Sequence, residues 1–449
     1  MENNTNKKIG GWSLIPMLVF VVIYIVAGVV LNDFYTFPSP VALFISIVVA
    51  FIMFKGTINE KFKHFTDGCG DENIQIMLMV YLLAGAFSAV AKAMGGVDAT
   101  VNFGLTFVPA QFLIAGMFVI AAFLGVATGT SMGTITALVP IACGLVDKAG
   151  LNLPLALAAV VGGAMFGDNL SMISDTTIAA TRTQGVEMKD KFRVNGFIAA
   201  PAAVVTVILL VIFGRPDTAV AIENLSFDII KVVPYILVLG LAVAGLNVFV
   251  TLAVGIFSAG IIGIVGGELT VLTFAQSIYD GFKGMEEVFF LSLLVGGLSN
   301  MVAKQGGIDW LLAKIRGFIK GPKSAQAGIA ALAAAADLAT ANNTVAIIVV
   351  GSIAKSVSEE FRVDPRKTAS ILDIVSCIFQ GAIPYGAQFL AMGSLAALFG
   401  FTVSPLDVIP LLWYQWLLAA ALIVSFFVPF ADSLIKKHPW NWETGKAEK

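Results

Sequence analysis

Seven charge-free apolar runs govern what this chain can fold into. They cover residues 12–32, 38–54, 73–91, 99–146, 195–214, 232–267 and 408–431. A helix crossing a bilayer needs about 20 apolar residues. The runs 99–146 and 232–267 are long enough for two passes, or a re-entrant pair, each. Segments 154–182 and 368–399 are apolar too, but acidic and glycine positions interrupt them. In hydrocarbon each backbone polar group must find its partner inside the protein, which makes helices the expected form of every run. The spacing therefore predicts an all-α polytopic membrane protein with about 10–12 transmembrane segments.

Composition agrees. Hydrophobic residues make up 58% and charged residues 12% of the 449, against about 25% charged in soluble domains. No stretch outside the runs is long enough to bury a soluble catalytic core. The run from Ser13 to Leu31 follows Lys7 and Lys8, exceeds a signal-peptide core and lacks a small-residue cleavage site, so it reads as a retained first helix. Cys69, Cys143 and Cys377 are isolated, which predicts neither a disulfide framework nor a metal site. His64 and His438 fall in polar segments, which argues against a buried histidine relay.

The basic residues set an orientation. Segments 1–11, 55–72, 182–194, 304–323, 355–367 and 432–449 hold 22 of the 27. The positive-inside rule places these six segments, and with them both termini, in the cytoplasm of a bacterial inner membrane.

The chain also repeats itself at an offset of about 212 residues. Asp67 and Gly68 match Asp280 and Gly281, Lys92 matches Lys304, and Asp98 matches Asp309. Ala127 and Thr128 match Ala339 and Thr340, and Pro154 matches Pro365. The basic bias reverses between mates: 55–72 is basic and 268–285 has one Lys, whereas 304–323 is basic and 95–103 has none. Two repeats of opposite orientation are expected, over 1–216 and 217–432, followed by a cytoplasmic tail at 433–449. That is the inverted-repeat plan of many secondary transporters, whose sites lie near the midplane where helices are discontinuous.

Each half offers two such breaks: ATGTSMGT (127–134) and FGDNLSMISDTT (166–177), then DLATANNT (337–344) and FQGAIPYGAQ (379–388). Irregular backbone at membrane depth is tolerated where it is buried in protein or lines a wet cavity. The acids Asp168, Asp175, Asp337 and Asp373 stand inside apolar segments, where a carboxylate costs roughly 2.5–3.5 kcal/mol and usually serves ions or protons. Asp175 could also help start the helix after its break. Carboxylate, hydroxyl and amide oxygens suit hard cations, Na⁺ and H⁺ among them, and no Cys or His cluster suits a transition metal. Arg182 and Lys92 read as interfacial side chains that extend toward the headgroups.

The stretch GDNLSMISDTT (167–177), preceded by GGAMF and followed by IAATRTQG, resembles the signature of the NhaC family of Na⁺/H⁺ antiporters. ATGTSMGT (127–134) resembles that family's other Gly/Thr/Ser-rich segment, and the likeness runs over roughly residues 10–430. The resemblance implies an inverted-repeat ion transporter with unwound helices meeting centrally. Position by position it implies ion or substrate contacts at Asp168, Ser171, Ser174, Asp175, Thr176 and Thr177, and Asn169 between them is a further candidate. Thr130 and Ser131 would join them from the first break, and Asp337, Asn342, Asn343 and Thr344 from the second half. Na⁺ would be held by Asp168, Asp175 and Asp337. One departure stands out: the family often reads GDK followed by SPLSDTT, whereas Asn169 replaces the Lys here, and Met172 and Ile173 replace Pro and Leu. Relatives also carry amino acids or small carboxylates with Na⁺, and a less charged site suits such a solute.

The leading expectation is Na⁺/H⁺ antiport by alternating access, with Na⁺-driven transport of an amino acid or carboxylate as the alternative. No enzyme activity, resident cofactor or nucleic-acid partner is expected; the bilayer, Na⁺ and H⁺ are, and a homodimer stays open. GFIKGPKS (317–324) has Pro322 where a P-loop needs its second Gly and lies in no nucleotide-binding context, which excludes ATP-driven transport. A channel is disfavoured because oligomeric pores use rings of repeated filter residues, whereas the polar breaks here are asymmetric.

Overall fold

The computed structural model describes residues 9–31, 37–172, 174–216, 226–244 and 246–447. Lys7, Lys8 and Ile173 lie outside them. Nearly everything described is helical. The first ten helices are α1 (Ile15–Val30), α2 (Ser39–Met53), α3 (Ile58–Cys69), α4 (Glu72–Ala93) and α5 (Gly96–Phe107), then α6 (Leu113–Thr128), α7 (Ser131–Ala149), α8 (Leu153–Leu170), α9 (Asp175–Gln184) and α10 (Met188–Phe213). The next nine are α11 (Ile229–Val243), α12 (Val248–Gly266), α13 (Val271–Gly284), α14 (Glu286–Lys304) and α15 (Gly307–Arg316), then α16 (Pro322–Thr340), α17 (Asn343–Glu360), α18 (Pro365–Gln380) and α19 (Ala387–Leu398). A short α20 (Pro405–Val408), α21 (Trp413–Phe427) and α22 (Ser433–Lys437) complete the helices.

Among the described residues eight helical segments are long and apolar enough to span a membrane, and a bent pair at Pro405–Leu411 and Trp413–Phe427 makes a ninth. Three shorter apolar helices, at Ser39–Met53, Ile229–Leu241 and Ala387–Leu398, supplement them. The chain is a multi-pass membrane protein. Among the described residues the one strand pairing is a small antiparallel one, of Trp440–Asn441 with Lys446–Ala447 in the tail.

The helices recur in the same order with a nearly constant spacing. α7 and α17 start 212 residues apart, as do α8 and α18, and α9 and α19. Their packing is exchanged as well. α3 packs on α14 while α13 packs on α4, and α9 packs on α17 while α19 packs on α7. Two glycine seams let the exchanged helix pairs approach closely: a Cβ on Gly68 would run into the Gly296 carbonyl, and one on Gly85 into that of Gly281. Small residues at such crossings allow backbones to approach where lipid supplies no hydrophobic driving force.

The breaks are built by local chemistry. α6 ends at Gly129, in the left-handed region at φ 68°, and the Thr130 side chain then caps α7 by accepting from Gly133 N. At the matching place α16 ends at Ala341, φ 48°, and the Asn342 side chain caps α17 by accepting from Val345 N. The pairs 129/341, 130/342 and 133/345 each differ by 212 positions. Ser174, rather than Asp175, caps α9, accepting from Thr177 N. A half-helix leaves carbonyls without partners, and polar side chains supply them. Ser174 Oγ donates to the Asp168 carbonyl at 3.0 Å and Thr177 Oγ1 to that of Ser171 at 2.7 Å.

Two basic segments differ from their sequence reading. Lys191 is not a solvated loop charge: α10 begins at Met188, and the Lys191 side chain is fully buried in an ion pair with Asp373. In 355–367, Arg366 and Lys367 are buried against Asp364 and Asp432, and Arg366 Nη2 also donates to the His438 carbonyl at 2.6 Å, fastening the tail. Ser324, in the stretch with a superficial P-loop likeness, instead accepts from Gly321 N at the start of α16.

Candidate functional site

A cavity of about 310 Å³ lies where the four breaks converge. Its wall carries Thr128, Gly129, Thr130 and Ser131 from the α6–α7 break and Asn342, Asn343 and Thr344 from the α16–α17 break. Asp168, at the end of α8, joins Asp175 and Thr176, at the start of α9, to complete the first-half contribution. Gln380 and Gln388 come from α18 and α19, and Asn247 from the start of α12. Among the described residues no Lys or Arg lines it.

Asp168 is the buried acid of this wall, 5% exposed. Ser131 Oγ donates to its Oδ2 at 2.9 Å and Thr176 Oγ1 to its Oδ1 at 3.3 Å. From there hydrogen bonds cross to the second half. Gln388 Nε2 donates to Ser131 Oγ at 3.2 Å, and Gln380 Nε2 donates both to Gln388 Oε1 at 2.8 Å and to the Ala341 carbonyl at 3.2 Å. The pair Asp168 and Thr176 has as its 212-residue mates Gln380 and Gln388, which are likewise bonded to each other. The second half thus keeps the geometry but replaces the carboxylate with an amide. At these paired positions only the first half carries a carboxylate.

Of the residues singled out from sequence, Thr130, Ser131, Asp168, Asp175, Thr176, Asn342, Asn343 and Thr344 line the cavity. Asp175 sits exposed in the first turn of α9, where the helix dipole favours a negative charge. Asn169, Ser171, Ser174 and Thr177 lie behind that wall, fully buried, and hold the α8–α9 break together. Asp337 is buried near the end of α16 and does not line the cavity; among the described residues neither of its carboxylate oxygens accepts a hydrogen bond. Asp168, Asp175 and Asp337 do not converge as one three-acid metal cluster.

Sequence reasoning did not single out Gln380 and Gln388 individually, although both lie in the 379–388 break. It also missed Lys191 and Asn195, which donate to the Asn169 carbonyl at 2.8 and 3.1 Å. A signal existed: Lys191, Val194, Asn195, Ile198, Ala199 and Ala202 share one buried stripe of α10 at helical spacing.

The Na⁺/H⁺ antiporter family matches this chain over residues 6–215 and 218–431. The chain belongs to that family. A malate-2H⁺/Na⁺-lactate antiporter of Bacillus subtilis is 27% identical over 68% of this chain and 67% of its own length. The Na⁺/H⁺ antiporter NhaC of the same organism is 24% identical over 92% of this chain and 98% of its own. The arginine/ornithine antiporter ArcD of Halobacterium salinarum is 23% identical over 72% of each. The Na⁺/H⁺ antiporter family is one of transporters and not an enzyme class, so the chain is a secondary transporter.

Proposed function

We propose that this transporter exchanges Na⁺ for H⁺ at Asp168 by alternating access, in the bacterial inner membrane with both termini in the cytoplasm. The observation that carries this reading is the Asp168 carboxylate itself: buried at the cavity wall, held by two hydroxyls, and with no Lys or Arg in ion-pair range among the described residues. A charge in that position calls for a counter-ion. Na⁺ supplies one, with Ser131 and Thr176 hydroxyl oxygens as further hard ligands; a proton supplies the alternative. Competition of the two for one carboxylate is antiport. The repeats 1–216 and 217–432 would exchange inward and outward geometries. Their helix order, their exchanged packing and the reversed charge bias support that arrangement.

A second reading has its own support. The cavity holds about 310 Å³, roughly ten times the ~30 Å³ share of one water, and its wall carries five amide side chains. A small carboxylate or amino acid moving with Na⁺ fits that space, and two relatives are named for organic cargo.

The test uses purified chain in proteoliposomes loaded with a pH dye, with Na⁺ added outside. Na⁺-triggered proton efflux that falls at least a hundredfold in Asp168→Asn, with normal membrane insertion, is the expected result. Undiminished efflux in that variant sinks the assignment. Silence of the wild type, with Na⁺-driven uptake of a labelled carboxylate or amino acid, selects the second reading.

A further inference from the structure

Behind the cavity wall a second oxygen cage is already filled. Lys191 reaches it from the first turn of α10, and its Nζ lies 2.5 Å from Asp373 Oδ2, 2.8 Å from the Asn169 carbonyl and 2.7 Å from Thr177 Oγ1. An ammonium has three donors and no acceptor, so these three oxygens satisfy it completely. A carboxylate, a backbone carbonyl freed at a helix break and a hydroxyl are also the ligand set of a hard cation. The cage is fully buried, and Asp373 Oδ1 within it accepts no hydrogen bond among the described residues.

The cage stands beside the cavity in a regular way. Asp168 and Thr176 face the cavity; their immediate neighbours Asn169 and Thr177 face Lys191. The two helix ends at the α8–α9 break thus build two adjacent oxygen-lined environments, one open to the cavity and one closed. A buried ion pair is a poor means of stabilisation, since apolar side chains of like volume often do as well or better. Its placement on a break carbonyl gives it a different use.

We propose that the Lys191 ammonium is a tethered cation occupying a second monovalent-cation site formed by Asp373, the Asn169 carbonyl and Thr177. The covalent charge holds the back of the break in its cation-bound shape at all times and keeps a mobile ion out. The number of Na⁺ ions the chain can take is thereby reduced by one. Removing the amine opens the site to Na⁺.

The test measures ²²Na⁺ bound per purified full-length chain at saturation, together with Tm in NaCl, KCl and N-methylglucamine chloride. Lys191→Ala is expected to bind one more Na⁺ than wild type, and to lose in Na⁺-free medium a Tm that NaCl restores. Both effects should vanish in the double variant Lys191→Ala/Asp373→Asn, which removes the anionic ligand. They should persist in Lys191→Ala/Asp168→Asn, so the result stands apart from Na⁺ binding in the main cavity. The proposal is overturned if Lys191→Ala gains no ion, if the gain survives loss of the Asp373 charge, or if Lys191→Ala folds in no salt. A wild type that binds no Na⁺ at all would sink the Asp168 reading while leaving this difference measurable.

Discussion

Ser131 is the residue through which the second half reaches the buried Asp168 carboxylate. Its hydroxyl donates to Asp168 Oδ2 and accepts from Gln388 Nε2, so one side chain fixes the carboxylate and links it to α19. A hydrogen bond to a charged group contributes about 1.5–3 kcal/mol. Ser131→Ala should therefore weaken apparent Na⁺ affinity by roughly tenfold, the equivalent of about 1.4 kcal/mol, with the maximal exchange rate changed less. The Na⁺ dependence of the proton signal in proteoliposomes measures both. An unchanged affinity would mean that the hydroxyl positions nothing that Na⁺ contacts. Asp168 was legible because acids in apolar segments are expensive and few, and Ser131 and Thr176 because their Gly/Ser/Thr-rich segments resemble the family signature. The partners of Asp373 were not: Lys191 lies 182 positions away in a run rich in charge, and only the turn of α10 brings the two together.

At the scale of elements, the breaks show how one backbone design tolerates two residue types. Gly129 and Ala341 hold the same left-handed position in their halves. Glycine adopts it freely, whereas an L side chain costs roughly 1–2 kcal/mol there. Gly129→Ala should accordingly lower stability by about 1 kcal/mol. Ala341→Gly should leave it unchanged or slightly raised, because strain relief offsets the roughly 0.4–1 kcal/mol that a more flexible unfolded chain costs. Thermal unfolding in detergent distinguishes them; equal losses in both would show that the two breaks are not built alike. The four breaks could be placed from sequence since Gly, Ser, Thr and Asn cluster there, and the caps at Thr130, Asn342 and Ser174 follow ordinary preferences. Which breaks share a cavity depends on helix packing, which periodicity in a uniformly apolar chain encodes weakly. Gln388 shows this: its bond to Ser131 joins positions 257 apart in the chain, and amides carry no cost signal as strong as a carboxylate.

For the whole molecule the reversed charge bias leads to a definite topology. If the halves are inverted, Lys63 and Arg316 face the cytoplasm, while Lys283 and Thr402 face the other side. All four are exposed in the structure, so a cysteine at each can meet a membrane-impermeant thiol reagent. Cys143 and Cys377 are buried and need no replacement, whereas the partly exposed Cys69 does. In intact cells Lys283→Cys and Thr402→Cys should label, and Lys63→Cys and Arg316→Cys should label only after the membrane is opened. Lys63 and Lys283 belong to the matching helices α3 and α13, so their labelling from one common side would make the repeats parallel. A parallel pair would not let one half take the geometry of the other by rocking about an axis in the membrane plane. The exchanged packing of α3 on α14 and α13 on α4 would then have to arise from an axis along the membrane normal, with both glycine seams at one depth. Opposite labelling instead puts the Gly68–Gly296 and Gly85–Gly281 seams toward opposite faces, as repeats of opposite orientation require.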